Sequence, residues 1–394
     1  MVTCRFITVK FAQSEASATV TSAHPEKFVG EGNFVADGAV VQTIKGISKH
    51  RDVRVEAYSD QPPSSVGGKK SATSIVAHSK GFFALGKDTG FHVLHSLPWG
   101  PFFSQSEKFT DPKDWFRQSS TKGVHSNGQM FLCTSHKAKS LRALVKIINS
   151  AQVHRYFCNK QQCLIDPDMR MKNDQANIED YLQSLGEVRL RIFYHGRPGV
   201  AVLDNGETQQ REFDVFLRTL ARHNGDAFFA WQSWTHTDPK GGQESYCATM
   251  NGGLKCMLKI VKHEFAGREC LHTHDHSKCI LELPSRENYH PRWVYVSGSN
   301  AVNTQILRGS ITIGFKNVTL NKLLRCSLLV VDFEGYYVDY LKNPQTIPKS
   351  EGRKVFQLIC NGCGTNTECS KKFNHFDKMY ADVKKKREEK AAKK

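Results

Sequence analysis

Two hydrophobic periods organise the chain. In "VRVEAYS", "SIVAHSKGFFAL" and "FHVLHSL", apolar and polar residues exchange at nearly every second position, the pattern of strands with one buried face. The last two runs flank the turn "GKDTG" and together predict a β-hairpin. Between Lys137 and about Tyr156 the period changes, and Leu141, Leu144, Val145, Ile148 and Val153 recur at helical spacing. "NIEDYLQSLG" reads as a further helix stopped by Gly186, and "VRLRIFYH" alternates as the strand after it.

The order of elements repeats further along. "FDVFLRTLARHNG" predicts an amphipathic helix closed by a glycine, and "KCMLKIVKHEF" a strand. "HSKCILEL" and "RWVYVSGSN" are two extended runs around a polar turn, and "LLRCSLLVVDF" reads as a buried strand. Gly, Pro and polar residues cluster in "YHGRPGVAVLDNGETQQ", which marks a boundary. Helices and strands alternating on both sides of it predict an α/β architecture built as a tandem pair, with one lobe over 41–200 and a second over 201–345. Residues 1–40 are polar with weak periodicity and stay unassigned, while 346–394 form a cysteine-dotted tail ending in the basic, solvent-exposed run "VKKKREEKAAKK".

Composition narrows the class. With 394 residues, 39% of them hydrophobic, the chain can fill two lobes, and a disordered or fibrous protein is excluded. A formal net charge of +17 favours a polyanionic partner such as nucleic acid or an anionic surface, through long-range attraction and counterion release. The 12 cysteines suit a disulfide-containing secreted or lysosomal protein. The opening "MVTCRFITVKFAQSEAS" lacks the continuous apolar stretch of a signal peptide, which keeps nuclear and cytoplasmic locations open. No apolar run is long enough to cross a bilayer, so no membrane span is expected.

One tripeptide occurs in each half: His78-Ser79-Lys80 and His276-Ser277-Lys278. Each heads an apolar run, "GFFAL" or "CILEL", and a polar turn and a second extended run follow. Strand alternation projects His and Lys from one face, and the neighbouring run brings His95 or Asn300 alongside. Two such units packed together would converge two imidazoles and two ammonium groups. That set suits phosphodiester cleavage without metal: one histidine attacks phosphorus, the other protonates the departing oxygen, and the lysines neutralise the non-bridging oxygens. The residues alone do not say which histidine attacks.

Around these tripeptides the sequence resembles a known family. "YSDQPP", "AHSKG", "GFHVLHSLPWGP", "GQMFLC", "DHSK" and "WVYVSGSN…LRG" stand in the order and approximate spacing of deoxyribonuclease II, a member of the phospholipase D superfamily with its paired His-x-Lys motifs. The resemblance covers roughly Val41 to Gly309 and implies two related phospholipase D-like lobes forming a pseudo-dimer around one composite site. It implies an acid endonuclease for double-stranded DNA that passes through a phosphohistidine, leaves 3′-phosphates and needs neither metal nor cofactor. Carried over by position, His78, Lys80, His276, Lys278 and Asn300 are the catalytic set, and His95 and Arg308 bind substrate. The sequence departs from the family where Cys279 replaces the usual tryptophan and Ser297-Gly298 the usual Gly-Asp. Family members are lysosomal or secreted. Two other functions share these features: a phospholipase D-type enzyme on a non-DNA phosphodiester, and a non-catalytic DNA-binding protein with this fold.

Metal readings compete at two places. "CLHTHDHSKC" offers Cys270, His272, His274 and Cys279 as zinc ligands, although "HTHDH" is one residue short of the zinc hydrolase signature. "CNGCGTNTECSKKFNH" offers Cys360, Cys363, Cys369 and His375 as a zinc knuckle, against a disulfide loop or free thiols. Trp99, Phe102 and Phe103 suit either base stacking or core packing, and Tyr336, Tyr337 and Tyr340 read as strand packing.

Overall fold

The alternating runs become two sheets whose inner faces share one core. In the computed structural model the described residues are 5–63, 76–100, 127–166, 178–195, 225–233, 246–284, 290–300 and 308–332, with 363, 381, 385, 389 and 392; the positions 13, 15, 32, 35, 51, 99, 185–187, 251–252, 267, 272–273 and 299 are excepted. The first sheet contains β1 (Phe6–Lys10), β2 (Ser17–Thr21), β3 (His24–Glu31), β4 (Arg54–Tyr58), β5 (Lys80–Leu85), β6 (Thr89–His95), β7 (Gln129–Lys137) and β8 (Arg155–Cys158). Their spatial order is β3-β2-β1-β7-β6-β5-β4-β8. The second sheet contains β9 (Ile178–Gln183), β10 (Arg189–His195), β11 (Ala227–Gln232), β12 (Tyr246–Met250), β13 (Gly253–Phe265), β14 (Arg268–Leu271), β15 (Cys279–Leu283), β16 (Trp293–Ser297), β17 (Ser310–Lys316) and β18 (Leu328–Asp332). It is ordered β12-β13-β11-β15-β16-β17-β10-β9, with β14 and β18 paired to β13. Helices α1 (Ala39–Ile47), α2 (Ala138–Ser150) and α3 (Val318–Cys326) pack on these sheets.

The order β4-β5-β6-β7 followed by α2 has a counterpart in β11-β15-β16-β17 followed by α3, all neighbours antiparallel. Alternation sorts the side chains as period-two patterning requires. In β5, Phe83 and Leu85 join the shared core while Phe82 and Ala84 face α1 on the other side. In the second sheet Leu281, Val294, Val296, Ile311 and Ile313 face the shared core, whereas Ile280 and Tyr295 form a separate outer cluster. The predicted stripe Leu141, Leu144, Val145 and Ile148 is buried on α2, which touches β6 and β7 of its own sheet and β9 and β10 of the other. Reciprocally, α3 reaches β3. The helix ends at Ser150 rather than near Tyr156, because Gln152 turns into the left-handed region at φ 60° and the chain re-enters the first sheet as β8.

Four expectations change. "NIEDYLQSLG" is the strand β9 and not a helix: it pairs with β10 from Ile178↔Tyr194 to Gln183↔Arg189, and Leu182 packs on the shared core. Tertiary pairing with a strongly alternating neighbour outweighs local helical spacing. "LLRCSLLVVDF" is split, its first part finishing α3 and only Leu328–Asp332 forming a strand. The weakly periodic N-terminal segment supplies β1, β2 and β3, with β1 paired to β7. Likewise β9 and β10, which precede the boundary near residue 200, belong to the second sheet. The helix expected at "FDVFLRTLARHNG" lies outside the described residues but for its last glycine.

Buried histidines accompany the core of the first sheet. His92 Nε2 lies 2.9 Å from the Tyr58 hydroxyl, and burial, helped by nearby His136, lowers its pKa from 6.5 to about 3. The unfolded chain therefore binds the proton first as pH falls. The contribution is intact above pH 6.5, is lost progressively towards pH 3, and amounts to about 2 kcal/mol lost at pH 5. His92→Gln keeps a hydrogen-bonding group for Tyr58 and removes this titration. Calorimetric melting of both proteins at pH 7 and pH 5 should show a smaller drop for the variant; equal drops would refute the assignment.

Candidate active site

The two tripeptides are aimed by contacts between the sheets. Strand β5 begins at Lys80 and β15 at Cys279, so His78, Ser79 and all of 276–278 lie in irregular lead-ins outside the strands. Alternation within a strand, as read from the sequence, is therefore not what positions them. The His78 N–H donates to the Gly309 carbonyl at 2.8 Å, and the His276 N–H donates to the Gly128 carbonyl at 2.9 Å. Gly309 immediately precedes β17 and Gly128 immediately precedes β7, the matching strands of opposite sheets. Each motif is thus held by the other sheet. Two further bonds lock the crossings: Gly128 N–H to the His274 carbonyl at 2.7 Å, and Ile311 N–H to Ser79 Oγ at 3.1 Å. A methyl group on Gly298 would lie 2.1 Å from Ser79 Oγ, so the close approach there requires glycine.

Lys80 meets the one carboxylate found beside it among the described residues. Its Nζ is 2.6 Å from Asp60 Oδ1, while Arg308 donates to Asp60 Oδ2 at 3.0 Å and His78 Nε2 lies 3.7 Å from the same oxygen. Asp60 is 2% exposed. Burial alone would raise its pKa, but the surrounding His78, Lys80 and Arg308 reverse this and hold it well below the usual carboxylate range. The sequence reading quoted Asp60 within "YSDQPP" without giving it a role. The signal was its place two residues beyond β4, whose Tyr58 pairs with Gly81 of β5.

Lys278 lies close enough for its charge to act on His78, and the charge of Lys80 in turn loosens the proton on Lys278. Its Nζ donates to the His276 carbonyl at 2.9 Å, and among the described residues no carboxylate is within ion-pair distance. Burial first, and Lys80 second, lower its pKa to about 7. His78 is displaced further, to about 3, by burial and then by Lys80, Lys278 and Arg308 against the pull of Asp60. Its Nδ1 lies 2.9 Å from the Gly298 carbonyl, which can only accept, so Nδ1 carries the proton and Nε2 the lone pair.

The remaining predicted residues fall around this group. His95 pairs with Lys80 across the β5–β6 ladder and is 1% exposed between Phe82 and Phe131, with burial and Lys80 keeping its pKa well below normal. Arg308 also donates from Nε to the Val76 carbonyl at 3.1 Å. Asn300 is buried beyond the end of β16. Asp275, which the sequence reading did not single out, fixes the second motif by accepting from Ser277 N–H at 2.8 Å and Ser277 Oγ at 2.6 Å.

Both zinc readings from the sequence change. Cys270 and Cys279 are buried free thiols and His274 is exposed, while His272 lies outside the described residues. Cys363 is bonded to Cys326 and is not available to a knuckle; Cys360, Cys369 and His375 lie outside the described residues, as do Trp99, Phe102, Phe103, Tyr336, Tyr337 and Tyr340. Further disulfide bonding involves Cys158 with Cys163, and also Cys133 and Cys256.

Known proteins share this arrangement of sequence. A family model described as deoxyribonuclease II matches residues 19–333. Plancitoxin-1 of Acanthaster planci is 21% identical over 297 residues, covering 73% of this chain and 74% of its own. Cell-death-related nuclease 7 of Caenorhabditis elegans is 23% identical over 303 residues, covering 76% and 73%.

Removing the Asp60 charge should expose how the cations are held. Asp60→Asn leaves Lys80 and Arg308 buried against a neutral group, with an expected cost of about 3–5 kcal/mol in chemical denaturation. Adding Lys80→Met should recover much of that loss. An Asp60→Asn protein as stable as the parent would show that the carboxylate does not hold this cluster.

Proposed function

The chain belongs to the deoxyribonuclease II family and is a deoxyribonuclease-like phosphodiester hydrolase, and from that premise we propose that it cuts double-stranded DNA in acid at one composite site shared by two related lobes. The observation that carries this reading is the meeting of the two His-Ser-Lys segments: each is held by the opposite sheet, and the charges of Lys80 and Lys278 both act on His78.

His78 is the nucleophile and His276 the general acid. With its proton on Nδ1, His78 offers the Nε2 lone pair to phosphorus, and its low pKa keeps that lone pair free in acid. Attack expels the 5′-oxygen, which takes a proton from His276. The resulting phosphohistidine is then opened by a water that gives a proton to His276, leaving a 3′-phosphate. Lys80 and Lys278 stabilise the non-bridging oxygens, supplying the positive charge that a metal gives in other nucleases, and the Asn300 amide donates a further hydrogen bond. Arg308 and His95 act one step back: Arg308 balances Asp60, and His95 backs Lys80. The net charge of +17 draws in the polyanion. The disulfides Cys158–Cys163 and Cys326–Cys363 fit the lysosomal or secreted setting of the family.

The pH window follows from two groups. His78 must be neutral to attack, so activity is lost only as pH falls towards about 3. Lys278 must be charged to bind phosphate, so activity is also lost as pH rises through about 7, tenfold per unit beyond it. Plasmid nicking should therefore be greatest near pH 5, persist in EDTA, and fall at least about 10³-fold in His78→Ala or His276→Ala. DNA with a bridging 5′-sulfur, whose leaving group needs no proton, should restore cleavage to His276→Ala but not to His78→Ala. Rescue of the other variant would reverse the two roles, and a rate maximum above pH 8 would defeat the proposal.

A further inference from the structure

The loop carrying His276 and Lys278 starts in a second cluster that the proposed reaction does not use. His263 of β13, Cys270 of β14 and Asp275 are all buried, with an imidazole nitrogen, Sγ and a carboxylate oxygen within 4.8 Å of one another. His263 Nε2 is 3.2 Å from Asp275 Oδ2 but makes no hydrogen bond of acceptable geometry, and that oxygen already accepts from Ser277 Oγ. His263 is 1% exposed, so water does not satisfy it. A buried ring nitrogen this near a carboxylate, without a hydrogen bond along the line between them, is arranged as though both faced a common third point. Cys270 has no disulfide.

We propose that His263, Cys270 and Asp275 are three ligands of a structural zinc ion that fastens the β13–β14 hairpin to the start of the second catalytic segment. The donor set selects the ion: thiolate and imidazole favour zinc over the oxygen-seeking calcium and magnesium. The three donors lie within 4.8 Å of one another, so small side-chain shifts bring them to a Zn–S distance of about 2.3 Å and Zn–N and Zn–O distances of about 2.0–2.2 Å. Without the ion, burial and the Asp275 charge push the Cys270 thiol up to about 12. A divalent cation reverses that balance, and the thiol proton is released as the S–Zn bond forms. Asp275 stands one residue before His276, whose N–H is fixed on Gly128, so the ion would set the loop from one side while the first sheet sets it from the other. It takes no part in the phosphoryl chemistry.

Metal content and spectroscopy test this independently of activity. The full chain with its disulfides intact should bind one zinc ion by mass spectrometry. After zinc removal, cobalt(II) should give a thiolate charge-transfer band and the visible bands of a tetrahedral site. Cys270→Ser should abolish the charge-transfer band, and His263→Gln should weaken zinc more than about 100-fold, beyond the effect of an outer-shell partner. Lack of a thiolate–cobalt band in the wild-type chain would overturn the proposal without recourse to any variant. So would zinc affinity unchanged in both variants.

Discussion

Two ammonium groups held in one dry cleft repel each other, and the structure of the site follows from how that repulsion is met. Asp60 is the carboxylate inside the cluster, and it binds Lys80 and Arg308 directly. Lys278 has no carboxylate within ion-pair distance among the described residues, and burial first, then the charge of Lys80, loosens its proton. The site is therefore asymmetric in charge although its two motifs are identical in sequence. Lys80 is tied to a carboxylate, while Lys278 donates to the His276 carbonyl. Burial first, and then the charges of Lys80, Lys278 and Arg308, disfavour a proton on His78, so a site suited to an anion also keeps an imidazole neutral.

Such a cluster needs a rigid frame, because like charges relax apart wherever the backbone permits. The frame is the exchange of hydrogen bonds between His78 and Gly309 on one side and His276 and Gly128 on the other. The histidine and serine of each tripeptide lie outside the strands, and only Lys80 enters one, as the first residue of β5. The amides of His78 and His276 are satisfied across the gap between the sheets, whereas that of Ser277 is met by Asp275. The apolar core shared by both sheets, with α2 and α3 contacting strands of the opposite sheet, brings those partners together. Separation of the sheets would leave both motif amides without partners, which couples the integrity of the site to that of the whole core.

Much of this was legible in the sequence where a local pattern carried it. The hairpins after each His-Ser-Lys, the α2 stripe and the β10 alternation were read from periodicity, and the motif pair marked the site. What escaped depended on partners distant in sequence. The strand β9 has a helical spacing that only its pairing with β10 overrides, and the polar N-terminal segment becomes sheet because β7 offers β1 an edge. Asp60 was invisible as a lone acid because its meaning lies in the β4–β5 register and in Arg308, 248 residues away. Cys270 was legible as a thiol ligand, but its neighbours His263 and Asp275 were not, because His263 comes from strand β13, outside the contiguous run of histidines.

Burial has opposite consequences for function and for stability in this fold. It keeps His78 neutral well below its ordinary pKa, which is what a nucleophile working in acid requires. It does the same to His92, His95 and His136, none of which needs to be neutral for chemistry. As pH falls, each of these buried rings favours the unfolded chain, where it can take a proton. A fold with this many buried neutral histidines keeps its stability in acid through contacts that acid does not titrate. The shared apolar core is one such source, and disulfides such as Cys158–Cys163 and Cys326–Cys363 are another. Disulfides and apolar burial are thus the kind of contact that lets a fold keep its imidazoles buried and neutral as pH falls.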